Sequence, residues 1–211
     1  MNYNKFRAFF QHLPLIDSRL VISQSGEAPQ SVRNQLTRWA KAGLLRHLRK
    51  GYYVLNENDR KVNPGGMYLA CQIYAPSYVS LETALASYDL IPERVAAVTS
   101  ITTRKTMRFT NPLGTFIYQH VSPAAFRGFR LEGDAGARFF MAEPEKAVVD
   151  FIYLNLHLFQ KDVKAMMMKS YRFQNAVGLK TGKLKRFGEL FCSPKLMRVL
   201  DAVIELAEGK S

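Results

Sequence analysis

Cysteine is scarce in this sequence of 211 residues, which contains only Cys71 and Cys192. The two lie far apart in the chain, so they form no CxxC metal or redox pair, and they do not indicate a disulfide scaffold. We therefore expect two reduced, partly buried thiols, the usual state in the cytosol.

Long apolar segments are also missing. The first 14 residues, MNYNKFRAFFQHLP, lack the apolar stretch and the small-residue cleavage site of a signal peptide. The most apolar later run, AVVDFIYLNLHLF, is interrupted by Asp150, Asn155 and His157 and is too short and too polar to span a bilayer. We expect a soluble cytoplasmic protein with no membrane partner.

Acidic residues are few beside the basic ones, 17 against 30, which gives a formal net charge of +13. The first 64 residues carry 11 basic and 4 acidic side chains, so positive charge is densest there. This balance favours a polyanionic partner such as nucleic acid, an anionic membrane or an acidic protein. A hydrophobic content of 47% is enough for a core and argues against disorder.

Motifs that carry catalysis are absent as well. The sequence contains no P-loop, GxSxG or HExxH, and its four histidines are scattered without metal-ligand spacing. Glu143 and Glu145 flank a proline at a predicted helix start, where the helix dipole accounts for acids, and Asp150 lies about two turns from Glu143. We predict no enzymatic activity, no metal site and no cofactor.

The first 55 residues have the pattern of three helices followed by a hairpin. Apolar residues in YNKFRAFFQHL recur at helical spacing, and Asp17 and Gly26 bound a short second helix. A third helix carries Pro29 in its first turn and ends at Gly43. LLRHL and GYYVL are two short strands around Arg49–Gly51. We predict a winged helix-turn-helix domain over residues 1–56.

The third predicted helix is amphipathic. Val32, Leu36 and Trp39 fall on one face, which predicts contact with the core. The opposite face is polar, and no acid occurs from residue 28 to residue 56. Because amide and guanidinium side chains pair with base edges, the predicted base-reading residues are Gln30, Ser31, Asn34 and Arg38. The predicted contacts to the DNA backbone are Arg33, Lys41, Arg46, Arg49, Lys50 and Tyr52.

The polar, Pro/Gly-rich segment NENDRKVNPGG predicts a linker over residues 57–66 and a second domain over residues 67–211. MYLACQIY, SLETALASYDL and EPEKAVVDFIYL are expected to be helices, with Ser80 as the N-cap of the second. RVAAVTSITT predicts a strand. TMRFTNPLGTFIYQHV and the pair FRGFRLEG and ARFFMA each predict two strands joined by a turn.

The last fifty residues predict a basic helical tail. Ten Lys or Arg against two acids occur from Gln160 to Arg198. The tail is either a solvated helical surface or a second polyanion-binding surface, for flanking DNA, for RNA or for an acidic partner.

Five segments in this order resemble the AbiEi family, the antitoxin-type transcriptional regulators of AbiE-like type IV toxin–antitoxin systems. They are LRKGYYVL, SLETALASYDLIPE, VAAVTSITTRKTMRF, GTFIYQHV and AEPEKAVVDFIYL, and the pattern extends from about Val32 to about Leu156. The resemblance maps a recognition helix onto 30–41 and a wing onto 46–52, and it maps no residue for antitoxicity.

The resemblance implies an α+β fold: a winged helix-turn-helix domain followed by a mixed α/β, antitoxin-like C-terminal domain with a helical tail. It implies a repressor that binds inverted repeats in its own promoter. Two copies would be needed to read such a repeat, as a homodimer or by cooperative binding on DNA. The resemblance also implies an antitoxin that counters a nucleotidyltransferase-like toxin, with or without a stable complex.

Two alternatives stay open. The chain could be a purely protein-binding antitoxin that uses the winged helix as a scaffold. It could instead bind RNA, since one of Tyr52 and Tyr53 points outward from its strand and aromatic side chains stack on RNA bases.

Overall fold

The N-terminal part of the chain folds as three helices and a small sheet. The structure is a computed structural model that describes residues 1–93, 95–159 and 163–209. Arg94, residues 160–162 and residues 210–211, which the predicted strand and tail include, lie outside the described residues. The N-terminal unit consists of α1 (Tyr3–Phe10), β1 (Ile16–Asp17), α2 (Ser18–Ser25), α3 (Pro29–Lys41), β2 (Leu45–Arg49) and β3 (Tyr52–Leu55).

The second and third helices begin and end close to where the sequence predicts, whereas α1 ends at Phe10, before the end of the predicted segment YNKFRAFFQHL. The Asp17 side chain accepts a hydrogen bond from the Arg19 N–H at the start of α2, and Gly26 ends that helix in the left-handed conformation. Pro29 stands in the first turn of α3. The predicted inner face of α3 is confirmed, since Val32, Leu36 and Trp39 are buried with Phe6 and Phe10 of α1.

The C-terminal unit contains a six-stranded mixed sheet in the order β6-β7-β5-β4-β9-β8. Its first elements are α4 (Gly66–Ile73), β4 (Ser77–Val79), α5 (Leu81–Ser87), β5 (Ala97–Thr102), β6 (Met107–Asn111), β7 (Gly114–His120), β8 (Phe129–Glu132), β9 (Phe139–Ala142) and α6 (Pro144–Leu154). The tail adds α7 (Val163–Ala165), a π-helical turn (Met166–Ser170), α8 (Thr181–Glu189) and α9 (Pro194–Ala207). The α+β class is confirmed.

Helices cover both faces of this sheet. Ser77 on β4 donates a hydrogen bond to the Ala70 carbonyl of α4, at 3.3 Å, whereas the neighbouring Tyr78 hydroxyl donates to Asp150 of α6, at 2.9 Å. Because successive side chains on a strand point to opposite faces, α4 and α6 lie on opposite sides of the sheet. None of the helices in the described part of the chain is long and apolar enough to cross a membrane.

Two strands were not predicted. β1 has two residues and pairs with β3, and β4 has three residues, all buried, between β5 and β9. A strand this short shows no alternation of polar and apolar residues, so periodicity cannot detect it. The predicted strands from β5 to β9 are all present, with β6 and β7 antiparallel around the 111–114 turn.

The hairpin formed by β2 and β3 packs against both units. Leu45, Tyr53 and Leu55 belong to the buried cluster of the N-terminal unit. Leu48 and Val54 belong to the buried cluster of the C-terminal unit. The segment after the hairpin is hydrogen-bonded to α1. Asp59 accepts hydrogen bonds from the Tyr3 hydroxyl and from Arg7, at 2.7 and 3.1 Å.

A buried ion pair joins α6 to the sheet. Lys146 contacts Asp150 one turn away, and both side chains have an exposed fraction of 0%. Lys146 also donates to the Tyr78 hydroxyl at 2.9 Å, and the Ser80 hydroxyl donates to Asp150 at 2.9 Å. Ser80 is at the predicted N-cap position of α5, but its hydroxyl bonds to Asp150 and makes no hydrogen bond to the backbone of the helix. Burial raises the pKa of Asp150 and lowers that of Lys146, and the charge of each partner opposes this.

We expect Lys146→Met to lower the free energy of unfolding by roughly 3–5 kcal/mol, because it leaves the Asp150 carboxylate buried without its counter-charge. Urea denaturation measures the loss. The matched control is Lys183→Met, which removes the cation that pairs with Glu143 at the partly exposed start of α6 and should cost less than about 1 kcal/mol. Replacing Asp150 by Leu as well should recover stability, and equal losses in the two single variants would contradict this role of the buried pair.

Candidate nucleic-acid interface

A groove lies between α3 and the hairpin on the outer side of the N-terminal unit. Its volume is about 870 Å³. The side chains around it come from the start of α2, one side of α3 and the hairpin. The lining residues are Asp17, Ser18, Arg19, Arg33, Thr37, Ala40, Lys41, His47, Lys50, Gly51, Tyr52 and Tyr53. Four of these side chains are lysine or arginine and one is a carboxylate, so the groove is electropositive.

The four predicted base-reading residues are all exposed on α3. Gln30 donates to the Asn34 side chain at 2.9 Å, and the Arg38 guanidinium contacts the Gln35 amide oxygen. Helical spacing places Gln30, Asn34 and Arg38 on one stripe beside the groove. Within the described part of the chain, all of their side-chain hydrogen bonds are therefore to other side chains of α3.

Four of the six predicted backbone contacts line the groove. Arg33 and Lys41 come from α3, and Lys50 and Tyr52 come from the hairpin. The Tyr52 hydroxyl is a hydrogen-bonding partner of the Arg19 guanidinium, at 3.3 Å. Side chains from two elements therefore face one groove, and polar donors in this arrangement suit phosphate oxygens.

Arg46 and Arg49 are turned away from the groove. Arg46 pairs with Glu57, at 3.1 Å, the first acid beyond the acid-free interval. Arg49 donates to the Ile73 carbonyl of the C-terminal unit, at 2.8 Å. The pairing register shifts between His47 and Arg49, which marks a bulge at Leu48. A bulge reverses the alternation of the side chains that follow it. Simple alternation would turn Arg49 toward the N-terminal unit, whereas after the bulge it faces the C-terminal unit. We leave both arginines out of the candidate interface.

Eight of the twelve groove residues were not among the predicted contacts, and they include Arg19, Thr37 and His47. Thr37 shares the polar face of α3, a signal that the sequence did contain. Arg19 lies on α2 and reaches the groove because β1 pairs with β3, a pairing that the sequence does not predict. Burial raises the pKa of Asp17, but the hydrogen bonds and charge of Arg19 outweigh it, and the pKa is lowered overall. Asp17 therefore stays ionised and offsets part of the Arg19 charge.

The hairpin turn is anchored to the start of α2. The Ser18 N–H donates to the Gly51 carbonyl at 2.8 Å. Gly51 has φ +87°, a conformation that L side chains rarely adopt. A Cβ at this position would also lie 3.1 Å from the Ser18 hydroxyl oxygen. The glycine therefore fixes where Lys50 and Tyr52 stand relative to α3.

No comparable chemical site was found elsewhere in the described residues. Burial raises the pKa of the Cys71 thiol to about 11, so this thiol is protonated at neutral pH. In residues 1–93, 95–159 and 163–209, no three His, Cys, Asp or Glu side chains come together as metal ligands. The groove is the feature with the clearest functional geometry.

No protein-family model matches the chain, and no curated protein matches it significantly. The assignment to the AbiEi family stays a prediction that depends on the order of the five segments.

We expect Gly51→Ala to lower the free energy of unfolding by about 1–2 kcal/mol, because alanine is strained in the left-handed region. Thermal or urea unfolding measures the change. Gly182→Ala is the matched control, since Gly182 lies in the first turn of α8 and has open space around the position of a Cβ. The control should leave stability unchanged or raise it slightly. A loss in the control as large as that in Gly51→Ala would contradict the argument from conformation.

Proposed function

We propose that the N-terminal unit is a winged helix-turn-helix domain that binds double-stranded DNA. In this proposal α3 enters the major groove and the hairpin is the wing that lies on the adjacent backbone. The observation that carries the proposal is the electropositive groove, to which α3 contributes Arg33 and Lys41 and the hairpin contributes Lys50. A phosphate backbone that follows this groove would contact both elements at once.

The exposed face of α3 favours duplex DNA over other polyanions. Gln30, Asn34 and Arg38 carry the donors and acceptors that pair with adenine and guanine edges in the major groove. A purely electrostatic surface needs only Lys and Arg. The combination of amide side chains on the helix with cations beside it supports a division between base reading and backbone positioning.

The biological role that we propose follows the resemblance to the AbiEi family. The chain would repress its own operon by binding inverted repeats in the promoter, with one copy on each half-site. The C-terminal unit would carry antitoxin activity against a nucleotidyltransferase-like toxin, and the protein itself would catalyse no reaction. What supports this role is the order of the five segments. Four of them lie in the C-terminal unit and include α5, β5, the first part of β6, β7 and α6.

The test of DNA binding is fluorescence anisotropy with two duplexes of equal length, the promoter of its own operon and a scrambled sequence. We expect a preference of about 10³-fold or more for the promoter. Asn34→Ala and Arg38→Ala should each reduce that preference by about 1–3 kcal/mol, because each removes contacts to a base edge. Equal losses on both duplexes would remove these two residues from the base-reading set.

Lys50→Ala should weaken binding to both duplexes alike and reduce the slope of log K against log salt by about one unit, because one phosphate contact is lost. The matched control is Lys5→Ala, which removes the same charge from an exposed position on α1 outside the groove. The control should leave the slope unchanged. Equal, steeply salt-dependent binding of the unmodified protein to both duplexes would reject a specific repressor, and tighter binding to structured RNA at matched salt would favour the RNA alternative.

The antitoxin role is tested by coexpression of the full chain with a nucleotidyltransferase-like toxin from its own operon, both from unrelated promoters. We expect restored growth, and we expect the variant Asn34→Ala, Arg38→Ala to restore growth equally well, because the proposed toxin-countering surface lies in the C-terminal unit. Failure of the unmodified chain to restore growth would reject this role and leave the DNA proposal standing. Copurification distinguishes a stable complex from an indirect effect.

A further inference from the structure

Arg49 joins the tip of the hairpin to the C-terminal unit. Its guanidinium donates to the carbonyl of Ile73, the last residue of α4, at 2.8 Å. The last carbonyls of a helix have no partner within the helix and lie at the negative end of its dipole, so they favour a cation. Arg49 supplies both the charge and the donor.

The same guanidinium also stacks on an aromatic ring. The Arg49 guanidinium carbon lies 4.3 Å from the centroid of the Tyr74 ring, and that of Arg104 lies 4.5 Å from the same centroid. Tyr74 is buried and its hydroxyl donates to the Lys105 carbonyl at 2.9 Å, which fixes the ring. Among the described residues, no carboxylate pairs with Arg49 or Arg104. Arg49 is therefore held by a carbonyl and a ring.

The hairpin tip is held from two sides as a result. On one side the Ser18 N–H of α2 bonds to the Gly51 carbonyl. On the other side Arg49 bonds to the end of α4, and the Asn111 amide donates to the Leu48 carbonyl at 3.4 Å. Lys50 stands between these attachments and faces the groove. Its position relative to α3 depends on both.

We propose that Arg49 is a positioning residue for DNA binding, one that holds the hairpin tip against the C-terminal unit so that Lys50 and Tyr52 meet the backbone while α3 is in the major groove. The inference rests on the proposed DNA-binding function and deepens it. A hairpin tip that is already held in place loses less conformational freedom when DNA binds. The contacts of Arg49 with Ile73 and Tyr74 would therefore raise the affinity for DNA, although Arg49 itself does not contact DNA.

Variants of the neighbouring residues Arg49 and Lys50 distinguish a positioning role from direct contact with DNA. Arg49→Met and Lys50→Met each remove one positive charge from the hairpin tip. We expect Lys50→Met to weaken promoter binding and to reduce the salt slope by about 0.9, the value for one lost phosphate contact. We expect Arg49→Met to weaken promoter binding on the order of tenfold at every salt concentration, with the slope unchanged. Fluorescence anisotropy over a salt series measures both quantities.

Amide hydrogen exchange of the free protein measures, in the absence of DNA, how firmly Arg49 holds the hairpin tip. We expect faster exchange of the hairpin amides in Arg49→Met and unchanged exchange in Lys50→Met, because only the first loses contacts to the C-terminal unit. Thermal unfolding verifies that the variants fold. Arg49→Lys is the second variant: it keeps the charge but not the planar stack on Tyr74, so it should also weaken binding and speed exchange.

The possible outcomes separate this inference from the proposed function. A reduced salt slope in Arg49→Met, full affinity in Arg49→Lys, or unchanged hairpin exchange in both would overturn the positioning role while DNA binding stands. No preference of the unmodified protein for its promoter would overturn the proposed function, and the positioning role with it.

Discussion

The two-sided packing of the hairpin is the constraint on which the rest of the structure depends. Side chains alternate along β2 and β3, so Leu45 and Leu55 complete the core of the N-terminal unit while Leu48 and Val54 complete that of the C-terminal unit. A bulge at Leu48 then turns Arg49 toward α4. Residues of this one hairpin thus belong to both cores, and the hairpin also places Lys50 at the groove beside α3.

This arrangement gives the two proposals a common physical basis. The groove provides cations at fixed positions, and the attachments of the hairpin tip at Ser18 and Ile73 keep those positions constant. The charge of the groove and the rigidity of its rim are separable properties, since Lys50 contributes to the first and Arg49 to the second. In this view the C-terminal unit contributes to DNA binding as a support for the hairpin.

Much of the fold could be predicted because the longer elements have clear periods. The 3.6-residue spacing of Val32, Leu36 and Trp39 predicts the buried face of α3, and turn residues mark the hairpins of the large sheet. What could not be predicted depends on contacts between distant segments. The pairing of Arg46 with Glu57, the bulge that redirects Arg49 and the arrival of Arg19 at the groove all require tertiary packing. Asp150 belonged to a predicted helix, but its buried partner Lys146 was not recognised, since a pair one turn apart looks the same on an exposed helix.

The shared hairpin has a consequence for dissecting the protein. A fragment that stops after residue 56 would bring Leu48 and Val54 into contact with water and leave the Arg49 guanidinium without its carbonyl and its ring. The complementary fragment would lose the apolar side chains that cover part of its own core. An exposed apolar patch on a strongly basic fragment promotes self-association and nonspecific adhesion to polyanions. The segment after the hairpin resembles a linker in composition, yet the hairpin before it packs against the unit that follows it. Binding measured on either piece would therefore describe a different surface from that of the intact molecule.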